Sequence, residues 1–91
     1  RYSLLFILSI KRGMLNMKSF NIMLRSITDV KDFVNIVNKY EFDVDLSSGR
    51  YVVDAKSIMG IFSLDLSKPI KLEAHTDDGE DCIKEIEKFI V

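Results

Sequence analysis

A chain of 91 residues with 47% apolar and 30% charged content has room for one small hydrophobic core and none for a second. Its single cysteine, Cys82, excludes an intramolecular disulfide framework and a multi-cysteine metal site, which points to a reducing compartment such as the cytoplasm. Arg1, Lys11 and Arg12 lie in the first 16 positions, so residues 17–91 carry ten basic against 14 acidic groups; this net of −4, with no basic cluster, argues against nucleic acid, whose affinity rests on neutralised phosphates.

The chain opens on "RYSLLFILSI", an apolar run well short of the ~20 residues that a membrane-spanning helix needs. No small-residue cleavage site of the signal-peptide kind follows it. Lys11-Arg12-Gly13 can be encoded by a purine-rich run resembling a ribosome-binding site, and Met17 begins a segment that reads as a complete domain. Residues 1–16 are therefore expected to be a disordered leader or translated upstream sequence, with the native product starting at Met14 or Met17. The intact mass of the protein from its natural host decides, because a species retaining Arg1 contradicts that start.

In "SFNIML" the residues Phe20, Ile22 and Leu24 alternate onto one face, the period of a strand. The period then changes: Val30, Phe33, Val34 and Val37 recur at helical spacing, with Thr28 the expected N-cap. "FDVDL" alternates Phe42, Val44 and Leu46 against Asp43 and Asp45, and Ser48-Gly49 turns the chain into "RYVVDA", so these two strands form a hairpin. Lys56 to Leu64 reads as a short helix. After Pro69, "IKLEAH" sets Ile70, Leu72 and Ala74 against Lys71, Glu73 and His75. "TDDGEDCIKEIEKFIV" is a last helix with acids in its first turn, where they complement the helix dipole, and with Ile83, Ile86, Phe89 and Ile90 facing inward. The order is βαββαβα. Covering single-faced strands with two apolar helix stripes gives an α+β fold, a four-stranded antiparallel sheet with helices on one face and water on the other.

No catalytic motif is present: there is one His, one Cys, and no phosphate-binding loop, dinucleotide fingerprint or zinc-protease pair, so an enzyme, a metal site and a cofactor are not expected. The carboxylates Asp77, Asp78, Glu80 and Asp81 sit at a helix start, where dipole complementation explains them without acid–base chemistry. His75 falls out of register with Ile70, Leu72 and Ala74, so it belongs on the wetter side of its strand. Its neighbours Glu73, Asp77 and Asp78 supply negative charge where a phosphoryl-accepting imidazole needs donors. Cys82 reads as a buried small hydrophobe.

Ser57 carries two readings. As an N-cap its hydroxyl accepts from the amide of Met59 or Gly60, worth ~1 kcal/mol over Ala; as a modification target its phosphate is tolerated by free amides at the positive end of the helix. Ile58, Met59 and Phe62 beside it are hard to bury together, because a two-turn helix has one core face and Ile61 and Leu64 fill it. They form either an exposed docking patch or part of the core.

"KSIMGIFSL", Lys56 to Leu64, resembles the K-S-I-M-G-V-M-S-L segment of HPr, the histidine-containing phosphocarrier family of the bacterial sugar phosphotransferase system. "KSFNIML" is similar to the family's first strand, "NKYEFDVDL" to the end of its first helix and its second strand, and "IKLEAHTDDGEDCIKEIEKFI" to its last strand and helix, so the resemblance spans Met17 to Val91. It implies an open-faced β-sandwich, three helices over a four-stranded antiparallel sheet. It also implies that Ser57 stands at the family's regulatory serine, which an ATP-dependent HPr kinase phosphorylates in many Gram-positive members, and that Ile58, Met59 and Phe62 fall in the partner-binding patch.

One part of the pattern is missing. The family's phosphoryl-accepting loop, G-[LI]-H-A-R-P-A, belongs between the first strand and first helix, where this chain has the shorter "RSITDVKDF" with no His. Arg25 and Lys31 do not match the motif's arginine. Thr28 and Asp29 are expected to occupy the helix start instead, a carboxylate there repelling phosphate while it stabilises the fold. What the resemblance implies is a regulatory, protein-binding relative, with the HPr paralogue of catabolite repression as precedent for a lost His and a kept serine. Its expected partners are proteins of the phosphotransferase system or an HPr kinase, with no nucleic acid, metal or stable membrane insertion. The alternatives are an active phosphocarrier using His75 or Asp29 as acceptor, and a structural interaction module.

Overall fold

Alternation along the strands decides which way each side chain faces, and the pairing shows it. In the computed structural model, which describes residues 17–76 and 79–91, the leader and the acids Asp77 and Asp78 lie outside the described residues. The elements are β1 (Met17–Ile22), α1 (Ile27–Val37), β2 (Val44–Ser48), β3 (Tyr51–Asp54), α2 (Ile58–Phe62), β4 (Ile70–His75) and α3 (Glu80–Ile86), followed by a 3₁₀ turn at Glu87–Phe89. This is the expected βαββαβα order. The sheet runs β1-β4-β2-β3 with every neighbouring pair antiparallel.

Register places Phe20, Leu72, Leu46 and Val53 side by side on the covered face. The adjacent rows face the other way: Asn21, Lys71, Ser47 and Val52 in one, and Ser19, Glu73, Asp45 and Asp54 in the next. Three carboxylates opposite one another are tolerable only in water, so the uncovered face is wet, as the alternation predicts. The covered face holds Ile22, Leu46, Ile70 and Leu72, each at most 1% exposed.

α1 buries Val30, Phe33 and Val37, with Val34 half-buried, as its stripe predicts. Phe33 meets Phe89 edge-to-face, centroids 5.9 Å apart at 80°. The expected N-cap is corrected: Ser26, not Thr28, caps this helix. Ser26 has extended backbone (φ −153°, ψ 166°) and its Oγ accepts from the amide of Asp29 at 3.0 Å, which leaves Thr28 inside the first turn. The exposed Ile27 breaks the apolar stripe at the helix start, so the stripe first becomes legible at Val30, one turn after the cap.

The β2–β3 turn is also one residue later than expected, with Gly49 and Arg50 between the paired Ser48 and Tyr51. Gly49 takes φ +61°, the left-handed value that a two-residue hairpin with glycine first requires. α2 is shorter than Lys56 to Leu64. It is framed by Ser57 and Ser63, because Lys56 is held outside it by its own amide donating to Asp54 Oδ1 at 2.9 Å. Ile61 and Leu64 are buried beneath it as expected.

α3 has Glu80 and Asp81 in its first turn and buries Cys82 and Ile86, with Phe89 buried in the turn that follows. Ile83 and Ile90 are only half-buried at the edge of the core. Burial pushes the Cys82 thiol up, away from the reactive thiolate, as suits a small hydrophobe. Backbone bonds from Met23 N–H to the Phe89 carbonyl (2.8 Å) and from Val91 N–H to the Asn21 carbonyl (2.9 Å) lay the last residues along β1.

Candidate functional site

Ser57 starts α2 with extended backbone, and its Oγ accepts from the Gly60 amide at 3.1 Å, one of the two amides that the sequence offers. The hydroxyl is exposed while its backbone is pinned: Ser57 N–H donates to the Asp54 carbonyl at 2.9 Å. The preceding Lys56 is tied to α1 from both ends. Its ammonium donates to the Tyr40 carbonyl at 2.6 Å, and its own carbonyl accepts from Asn38 Nδ2 at 3.3 Å. Asn38 also caps α1 by donating to the Val34 carbonyl at 2.9 Å. Neither Asn38 nor Tyr40 carries a local sequence signal for this task, since the whole β2–β3 hairpin separates each from the serine turn in the chain.

Close approach fixes Gly60. A Cβ built there would lie 3.2 Å from Val53 Cβ and 3.3 Å from Ser57 Oγ, so the missing side chain lets α2 sit down on β3. That seating divides the apolar residues of "SIMGIF". Ile61 goes into the core, Ile58 is half-buried, and Met59 and Phe62 stay 78% and 44% exposed. The exposed pair lies on the outer side of the helix that begins at Ser57.

In the connection from β1 to α1 the chain caps itself through Ser26 and Asp29. Ser26 Oγ takes the Asp29 amide, the Ser26 carbonyl takes the Val30 amide at 3.1 Å, and the Asp29 carboxylate accepts from Arg25 N–H at 2.9 Å. The reciprocal bonds resemble a capping box. Asp29 therefore holds the helix start as expected, with Ser26 in the role assigned to Thr28. No imidazole lies in this connection. His75 is on the open face of the sheet, exposed, with its Nε2 2.9 Å from Asp45 Oδ2. The structure does not bring His75, Asp29 and Ser57 together.

Among the described residues no group of three or more His, Cys, Asp or Glu is placed to hold a metal, and no helix is long and apolar enough to cross a membrane.

A family model described as "PTS HPr component phosphorylation site" matches residues 29–91. Among solved structures, HPr-C-His from Thermoanaerobacter tengcongensis is similar over 79% of this chain and 86% of its own, with 30% identity and a TM-score of 0.64. The phosphocarrier protein HPr from Bacillus anthracis str. Ames is similar over 82% of this chain and 95% of its own, with 23% identity and a TM-score of 0.62. A search of the curated proteins gives no match. With the sheet order, the three helices on one face and the Lys56–Leu64 segment all in agreement, the chain belongs to the HPr family of the sugar phosphotransferase system, a family of phosphocarriers and not of enzymes.

Proposed function

We propose that this HPr-family chain is a regulatory, protein-binding relative that has given up phosphoryl transfer through histidine and is controlled at Ser57. The observation that carries the proposal is the self-capped start of α1. Where a phosphoryl group on nitrogen would need an imidazole beside unoccupied amides, this chain has no imidazole, an Asp29 amide already taken by Ser26 Oγ, and an Asp29 carboxylate that repels phosphate. Ser57 has the opposite character: exposed, on a rigidly anchored turn, with the Gly60 amide already directed at its oxygen.

Phosphate on Ser57 adds close to two negative charges beside Met59 and Phe62. A partner that docks on the apolar pair and carries Arg or Lys near Ser57 is favoured, and one that carries Asp or Glu there is repelled. Proteins of the phosphotransferase system and an HPr kinase are the partners proposed, and the cytoplasm is the compartment in which they meet. Ile58 contributes by holding the helix down, half-buried beneath the patch. Incubation with an HPr kinase and ATP tests the regulatory part. One phosphate is expected on Ser57 and none on Ser57→Ala; an unmodified wild-type chain, beside a phosphorylated HPr control, contradicts it.

A further inference from the structure

We propose that a groove at the β2–β3 turn binds a phosphate monoester of a small polyhydroxylated molecule. Asn21, Lys71 and Ser47 stand side by side on the open face of the sheet. The turn at Gly49-Arg50 and the connection from Ser63 to Pro69 border that row, and together they outline an open groove of about 740 Å³, a volume within the range of small-ligand pockets.

Charge gives the groove its character. Residues 17–91 are acidic overall, yet Arg50, Lys68 and Lys71, three of their ten cations, line this one concavity. Among the described residues neither Arg50 nor Lys68 has a salt-bridge partner, and Lys71 reaches Glu73 only at 3.9 Å. The single carboxylate of the lining, Asp65, is occupied, its Oδ1 accepting from Ser67 N–H at 3.1 Å and from the Ser67 hydroxyl at 2.5 Å. The lining therefore holds three cations to one carboxylate, Asp65, which Lys68 also stabilises; with Glu73, Asp45 and Asp54 in the next row of the open face, the positive field is confined to the end of the groove at the turn, around Arg50 and Lys68.

A phosphate monoester fits that field better than a carboxylate, because it carries close to two charges at neutral pH and several acceptor oxygens. The rest of the lining suits a hydroxylated body. The Asn21 amide and the Ser47 hydroxyl offer donors and acceptors. Ser63, whose O–H already donates to the Gly60 carbonyl, keeps an acceptor oxygen, and the exposed Tyr51 borders the groove. A long polyanion is disfavoured, since the net −4 of the domain repels every phosphate beyond the groove. The site uses neither Ser57 nor phosphoryl transfer, so it stands or falls apart from the regulatory proposal.

The test is amide NMR of the full chain titrated separately with glucose 6-phosphate, glucose and inorganic phosphate. Glucose 6-phosphate is expected to shift the amides of Ser47, Arg50, Lys68 and Lys71 to saturation, inorganic phosphate to shift them with weaker affinity, and glucose to leave them in place. The double variant Arg50→Gln/Lys68→Gln, checked for a native amide spectrum, is expected to bind about tenfold more weakly, and Lys31→Gln to bind like wild type. Shifts that never saturate, a double variant with wild-type affinity, or glucose 6-phosphate binding no better than inorganic phosphate each overturn the proposal. If the double variant does not fold, Arg50→Gln alone carries the comparison.

Discussion

At Ser57 one oxygen is proposed to serve both stability and control, and substitution separates the two. Removing the oxygen that accepts from Gly60 N–H is expected to cost about 1 kcal/mol. Ser57→Asp, which keeps a capping oxygen, is expected to stay within a few tenths of a kcal/mol of wild type. Urea denaturation distinguishes them, and equal losses in both variants contradict the capping role. Gly60 makes a second case. An Ala in a helix interior ordinarily gains up to ~1 kcal/mol over Gly, but Val53 Cβ stands 3.2 Å from the new methyl and belongs to a strand that has little room to give. Gly60→Ala is therefore expected to lower stability in the same denaturation series; a gain would mean that α2 is free to lift from β3.

Between elements, the bond that joins the end of α1 to α3 is electrostatic and predicts a pH window. The Glu85 carboxylate accepts from Lys39 and from the Tyr40 hydroxyl, and these bonds hold it below the usual glutamate range. Through the same hydrogen bond Glu85 pushes the Tyr40 phenol up to about 12. A depressed carboxyl contributes stability that is present above its ordinary value of ~4.3 and lost as pH falls through the lowered one. Glu85→Gln is thus expected to melt below wild type at neutral pH, with the gap closing as pH drops below ~4; thermal melts across that range check it, and a constant gap contradicts it. Periodicity made the strands, α1's buried stripe and the element order legible, because a single buried face forces period two or 3.6 onto the sequence. The exceptions are informative. Ser26 was hidden by the exposed Ile27 that follows it, and Gly49-Arg50 by a serine that is equally at home in a turn. The anchoring of Lys56, beside Ser57, by Asn38 and Tyr40, and the gathering of Arg50, Lys68 and Lys71, come from tertiary placement alone, which no local pattern encodes.

For the whole molecule, membership of the HPr family supplies a scaffold, and the chemistry depends on which residues still stand on it. The scaffold is intact: the open sheet, the three helices and the segment from Lys56 to Leu64 are all in place. The connection from β1 to α1 is different, capped by Ser26 and Asp29 with no imidazole. Docking is expected to survive this change. Replacing Met59 and Phe62 with Ser and Thr in a protein that keeps its fold should abolish co-purification with partners from the phosphotransferase system; the Met59 change alone should leave stability nearly unaltered because that side chain is 78% exposed, whereas the Phe62 change, at 44% exposure, should lower it. Undiminished partner binding by that variant contradicts the proposed patch. The most direct test of the central claim is incubation of the full chain with phosphoenolpyruvate and the first enzyme of the phosphotransferase system, read as intact mass under conditions that preserve acid-labile phosphate. No added phosphoryl group is the predicted result, with a histidine-bearing HPr modified in parallel; a phosphoryl group gained by this chain and passed on to a sugar permease component would contradict it.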